Sequence, residues 1–215
     1  MDYTTPEKIA ETYRKITSAS AGALQIAQNA RACLDRSGAK LHISFDEWNF
    51  WYAWYRPSCV GEGIFTAKML HMLIRESNPL DMPVCCYFQP VGEGAILIES
   101  DSARLTANGQ MFAAMKAHCG GDFCALTGDD DGSTVATVKD GILTVTLIND
   151  SYDSERRFIF NRCGEPEEAV LYTSDEVVPY SYFTEMPLTV ETEGQETAVT
   201  LPPHSVAKLI IRLPG

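Results

Sequence analysis

Two adjacent carboxylates, Asp46 and Glu47, stand inside LHISFDEWNFWYAWYR, residues 41–56, between a strand-like run and a cluster of six aromatics. Side chains alternate along a strand. By that count Leu41, Ile43, Phe45 and Glu47 share one side: three apolar groups would fill an interior and a carboxylate would emerge at its mouth. Asp46 then points the other way, and hydrogen bonding to backbone or to a neighbouring helix is its expected role. Aromatic faces beside carboxylates suit sugar recognition, although so dense a group also suits a plain core.

The rest of the composition excludes several other chemistries. The net charge is −12, with 29 acids against 17 bases, so nucleic acid and anionic membrane surfaces should be repelled. No apolar run reaches the roughly 20 residues of a membrane span. The opening MDYTTPEKIAETYRKI lacks the basic and apolar regions of a signal peptide. A cytoplasmic location is therefore expected, with the seven cysteines reduced. Cys85-Cys86 falls in an apolar run that suits a buried strand, and neither CxxC nor HExxH occurs. No metal or other cofactor is expected.

The histidines show no ligand spacing. His42 reads as a core residue on the helix-facing side of its strand, and His71 as packing or surface. At His118, near a helix end, an imidazolium would favour the dipole. His204 lies in a loop beside prolines. Asp129-Asp130-Asp131-Gly132 lacks the downstream glutamate of a calcium loop and reads as a solvated turn.

The elements that must position Glu47 follow from periodicity. Helices are expected over 5–35, with a possible break at 18–22, from Gly61 or Gly63 to about 77, and over 105–118. Apolar strands are expected at 41–45 and 82–88. Nearly continuous apolar strands alternating with helices indicate parallel β/α architecture. After Gly121 the pattern changes. A hairpin turns at Asp140-Gly141, and strands are expected at 156–161, 168–173, 187–192, 197–201 and 205–213, the spacing of an antiparallel sandwich. The fold class is thus α/β plus all-β, with units at 1–120 and 121–215. Two parallel strands cannot close a barrel, so the sheet is completed by other strands or the chain is a portion of something larger. In a β/α barrel, functional side chains sit at the C-terminal ends of strands, and Glu47 is at such an end.

ISFDEWNFWY (43–52) resembles the nucleophile segment of α-L-arabinofuranosidases of glycoside hydrolase family 51. YFQPVGEGAI (87–96) is similar to that family's next barrel strand and loop. MKAHCGG (115–121) and LPPHSVAKLIIRL (201–213) resemble its final barrel helix and last sandwich strand. The resemblance implies a partial (β/α)8 barrel, its final two β/α units, followed by an antiparallel β-sandwich. It also implies that Glu47 is the catalytic nucleophile at the end of strand seven. Trp51 would line the substrate site, Gln89 at the end of strand eight would contact the sugar, and Trp48 and Asn49 of the same motif would be further substrate contacts.

Members of that family are about twice as long, and their general acid/base is the glutamate of an Asn-Glu pair at the end of strand four. This sequence contains no Asn-Glu pair. Retaining glycosidases use two carboxyls about 5–5.5 Å apart. Glu93, in the loop after Gln89, is a poor substitute for the second. The isolated chain is expected to be inactive on its substrate, an arabinose-containing oligosaccharide or polysaccharide. Its expected partner is the missing N-terminal barrel half, or a second copy that hides the open strand edges. A split gene, a degenerate fragment and a piece cut from a longer enzyme all fit. The competing reading is a non-catalytic carbohydrate-binding or assembly module.

Overall fold

The computed structural model describes residues 1–50, 58–92, 94–128, 131–161 and 163–214. Thr5 caps helix α1 (Pro6–Ser18), its side chain accepting from the Lys8 N–H, with Pro6 at the first helical position; this is the pairing that helix starts favour. The helical stretch breaks at Ala19. Helix α2 (Ser20–Ser37) follows and closes on Gly38, whose φ of 70° is one that glycine adopts without strain. The α1 helix buries Ala10, Tyr13 and Ile16, whereas α2 buries only Ser20 and Ala27 and leaves Ile26 exposed.

Strands β1 (Ser44–Trp48) and β2 (Val84–Tyr87) run parallel, connected through helix α3 (Val60–Glu76). Ile43, Phe45, Trp48, Cys85 and Tyr87 pack in one cluster with Phe65, Met69, Met72 and Leu73 of α3. On the opposite face Ser44, Asp46, Val84, Cys86 and Phe88 are exposed. This reverses one expectation: Ile43 and Phe45 face the helical layer and not an interior, because the apolar stripe of α3 covers that side. Two further expectations change with it. His42 is exposed and places Nδ1 2.7 Å from Asp81 Oδ1. Asp46 accepts a short hydrogen bond from the Ser44 hydroxyl on its own face and, among the described residues, none from a neighbouring helix.

The third expected helix is shorter than its apolar pattern suggests. A hairpin of β3 (Ile96–Ile98) and β4 (Ala103–Leu105) precedes helix α4 (Ala107–Met115), which ends in a single 3-10 turn, Lys116–His118.

Among the described residues nine further strands follow. They are β5 (Asp122–Phe123), β6 (Thr134–Lys139), β7 (Ile142–Asn149), β8 (Arg156–Asn161) and β9 (Pro166–Thr173), then β10 (Thr184–Pro187), β11 (Glu191–Glu193), β12 (Glu196–Leu201) and β13 (Ser205–Arg212). They form an antiparallel six-stranded sheet ordered β10-β9-β13-β7-β6-β5 and an antiparallel three-stranded sheet ordered β11-β12-β8. Asp140 and Gly141 turn the β6–β7 hairpin with φ of 51° and 74°, the paired positive values of a type I′ turn. The strand expected at 187–192 is split. Thr184–Pro187 pairs with β9 and Glu191–Glu193 with β12, while Leu188 and Val190 between them join the core shared by both sheets.

That core unites Val145, Leu147 and Leu209 of the large sheet with Phe158, Val199 and Leu201 of the small one. The other side of the large sheet meets the helices: Ile148, Tyr172 and Val206 share a cluster with Tyr13, Ile64 and Met111. A continuous core therefore crosses residue 120. Strand β7 is buried on both faces, with aliphatics toward the small sheet and Thr144, Thr146 and Ile148 toward the helices.

Candidate active site

Phe45 faces α3, so regular alternation would turn Glu47 toward α3 as well and bury it. The β1–β2 register is interrupted between Phe45 and Trp48. An extra residue of this kind re-aims the side chains that follow it. Trp48 takes the helix-facing position, opposite Tyr87, and Glu47 is exposed at the C-terminal end of the strand. Among the described residues no side chain forms a hydrogen bond or ion pair with Glu47.

Trp48, expected to contact substrate, is instead a core residue with 6% of its surface exposed. Its ring lies 4.9 Å from that of Tyr87, edge-on, and stacks at 5.8 Å on Phe112. The irregularity that frees Glu47 buries its neighbour. Asn49 is half-buried, and its Oδ1 accepts from the Phe50 N–H at 2.6 Å. Phe50 meets Phe65 of α3 edge-on. Trp51 lies outside the described residues, as do Trp54, Tyr55 and Glu93.

The end of β2 stands beside the end of β1: Phe88 N–H donates to Trp48 O at 3.1 Å. Gln89 follows as an exposed residue, after a cis Phe88–Gln89 peptide. Glu47 and Gln89 thus rise from the C-terminal ends of two adjacent parallel strands. Sequence reasoning missed the polar group beneath them. Asn108, in the first turn of α4, donates to Tyr87 Oη at 3.2 Å and accepts from Ser58 Oγ at 3.4 Å.

One cleft of about 440 Å³ lies elsewhere, between α2, α3 and residues 131–133, lined among others by Leu24, Lys68, Met72 and Arg75. It contains neither Glu47 nor Gln89. Its cations are already engaged, Lys68 with Asp150 and Arg75 with the Thr134 carbonyl. Among the described residues no group of three or more His, Cys, Asp or Glu could hold a metal ion, and no helix is long and apolar enough to cross a membrane.

Neither family models nor curated proteins match the sequence. Solved structures do. The family 51 α-L-arabinofuranosidase AbfB from Bifidobacterium longum superposes with a TM-score of 0.74 at 14% identity, over 97% of this chain and 50% of that one. The family 51 arabinofuranosidase from Xanthomonas axonopodis pv. citri gives 0.71 at 17%, over 91% and 46%. The α-L-arabinofuranosidase from Thermotoga maritima gives 0.68 at 18%, over 99% and 51%. The chain therefore spans about half the length of these structures, as expected for a C-terminal portion. In fold, it is the counterpart of about half of a glycoside hydrolase family 51 α-L-arabinofuranosidase.

Proposed function

We propose that this chain supplies the last two β/α units and the C-terminal sandwich of a retaining α-L-arabinofuranosidase, with Glu47 as the nucleophile. One observation carries the reading. The strand irregularity between Phe45 and Trp48 turns Glu47 out of the helical layer at the C-terminal end of β1, the end at which β/α barrels place their chemistry. In the reaction, the Glu47 carboxylate attacks the anomeric carbon of an arabinofuranosyl unit as a second carboxylic acid protonates the departing glycosidic oxygen. That second group, now ionised, takes a proton from water, and the water displaces Glu47 from the sugar. On this reading Gln89, at the adjacent strand end, hydrogen-bonds the sugar, and Asn49 lies two residues beyond the nucleophile.

The second carboxyl belongs to β/α units that complete the sheet over the exposed face of Ser44, Val84, Cys86 and Phe88. The chain by itself should release no nitrophenol from p-nitrophenyl α-L-arabinofuranoside. Joined by the remaining units it should turn over, and Glu47→Gln should then abolish turnover. Undiminished activity of that variant removes Glu47 from the mechanism. Saccharide binding without turnover in the completed protein would favour a non-catalytic module.

A further inference from the structure

We propose that Asn108 is a positioning residue: it fixes the loop that follows β2 against the end of β1, and so sets where Gln89 stands relative to Glu47. The inference rests on the hydrolase reading for its consequence, although not for its geometry.

Asn108 is 1% exposed, and its amide acts in both directions, donating to Tyr87 Oη and accepting from Ser58 Oγ. A buried amide is retained where its hydrogen bonds are made. Three segments meet there. Tyr87 ends β2, two residues before Gln89. Ser58 leads into α3. Gly94, two residues before β3, sits so close that a Cβ on it would lie 2.7 Å from Tyr87 Oη, 3.0 Å from Asn108 Nδ2 and 3.6 Å from Asn49 Nδ2. With φ at 141° this position also suits glycine alone. Asn49 brings in the end of β1.

The same loop is fastened to α4 at two further points. Thr106, which caps α4 through the Gly109 N–H, also donates its hydroxyl to Gly94 O, and its own N–H donates to Ala95 O at 3.0 Å. Gly109 accepts the close approach of that Ala95 carbonyl, which a Cβ would meet at 2.1 Å. The loop thus rests on the first turn of α4, and the Asn108 side chain of that turn also reaches Tyr87, the last residue of β2.

Removing the Tyr87 hydroxyl tests this with little change in volume. In this chain, Tyr87→Phe and Asn108→Ala should each raise hydrogen exchange at the Ile96 and Thr106 amides by about tenfold or more. These amides are held by Pro90 O and Ala95 O. The Ile148 amide, bound to Ser133 O in the large sheet, should keep its rate. Unchanged exchange at Ile96 and Thr106 in Tyr87→Phe overturns the proposal, whatever the activity. In the protein joined by its remaining β/α units, Tyr87→Phe should lower kcat by about 10- to 100-fold with KM within about threefold, the signature of misplaced reacting groups. Val199→Ala, a cavity in the sheet core, should leave kcat alone. Parental kcat in Tyr87→Phe also overturns the proposal. A completed protein that never turns over sinks the hydrolase reading instead, and the exchange result still decides whether Asn108 holds the loop.

Discussion

His71 and His118 share one hydroxyl: Thr146 Oγ1 lies 2.8 Å from Nε2 of the first and 2.9 Å from Nε2 of the second. His71 Nδ1 faces the carbonyl of Gly132 at 3.2 Å, so it must donate, which leaves its Nε2 as an acceptor for the Thr146 O–H. Thr146 then accepts from His118 Nε2–H, and His118 Nδ1 accepts from Thr137 Oγ1 at 2.8 Å. Neutral imidazoles in these tautomers satisfy every donor and acceptor of the chain. It ties α3 and the 3-10 turn after α4 to the centre of the six-stranded sheet.

A pH dependence follows. Burial lowers the His118 pKa from the usual 6.5 to about 4. The unfolded chain therefore binds a proton at a pH where the folded chain refuses it. Stability from this group is complete above pH 6.5, falls as pH drops toward 4, and loses nothing further below that, a total of about 3 kcal/mol at roughly 1.36 kcal/mol per unit. Burial moves His204 in the same direction, so His118→Gln should flatten the slope in part. Asp131 acts in a separate window: burial opposes its ionisation, but hydrogen bonds from Arg156 and Ser133 prevail and hold it near 2, so its contribution is lost only below the usual 3.8. Urea unfolding of the parent and His118→Gln at pH 7.5 and 4.5 checks this. Equal slopes for the two would remove His118 as the cause.

Helix α3 begins on a residue 121 positions away. Cys59 occupies its N-cap, its thiol making no capping hydrogen bond, and the Val60 N–H donates to Ser181 Oγ at 2.9 Å. The neighbouring Tyr180 N–H binds Ser58 O, and Phe183 exchanges two backbone bonds with the Gln110 side chain. Ser181→Ala should cost about 1 kcal/mol, the usual worth of a helix cap, and Ser181→Thr should recover most of it. A denaturation midpoint unchanged in the alanine variant would show that water replaces the hydroxyl without penalty.

Much of this was legible in the residues. Asp140-Gly141 between two alternating runs marks a hairpin, and the Thr5-Pro6 pair marks a helix start. Glu47 stood out at a strand end beside aromatics. The reason it is exposed was not legible, because an irregularity depends on the neighbouring strand's register and leaves no residue signature in SFDEW. Counting in twos therefore assigned the faces of β1 the wrong way round. Helices bury the side of the β6–β7 hairpin that carries Thr137, Thr144 and Thr146, and the hydroxyls are satisfied by His118, His71 and the Ala117 carbonyl. Tertiary contacts of that kind are invisible to local alternation.

Trp48 follows the nucleophile candidate, and its burial makes a stability prediction that a substrate contact would not. Trp48→Ala empties a space bounded by Tyr87 and Phe112 and should cost about 3–5 kcal/mol. Trp48→Phe should cost less than about 1.5 kcal/mol, since no acceptor for the indole N–H is found among the described residues. Differential scanning calorimetry separates the two. Equal melting temperatures for the alanine variant and the parent would place the ring outside the core.

The exposed face of the two-stranded sheet can be read through its own thiol. Cys86 is exposed there, beside Val84 and Phe88, while its neighbour Cys85 is turned toward the helices and burial pushes its thiol up. Cys59 is fully buried, and Cys33 and Cys119 are exposed elsewhere. A maleimide should modify Cys86, Cys33 and Cys119 in this chain, Cys85 more slowly because less of it is thiolate, and Cys59 only on unfolding. If further β/α units close over Ser44, Val84 and Cys86, their presence should slow the reaction at Cys86 by about tenfold or more while Cys33 and Cys119 react as before, by mass spectrometry of each peptide. Restored glycosidase turnover with Cys86 still fully reactive would mean that the completing units dock elsewhere, and the closed sheet around Glu47 would have to be abandoned.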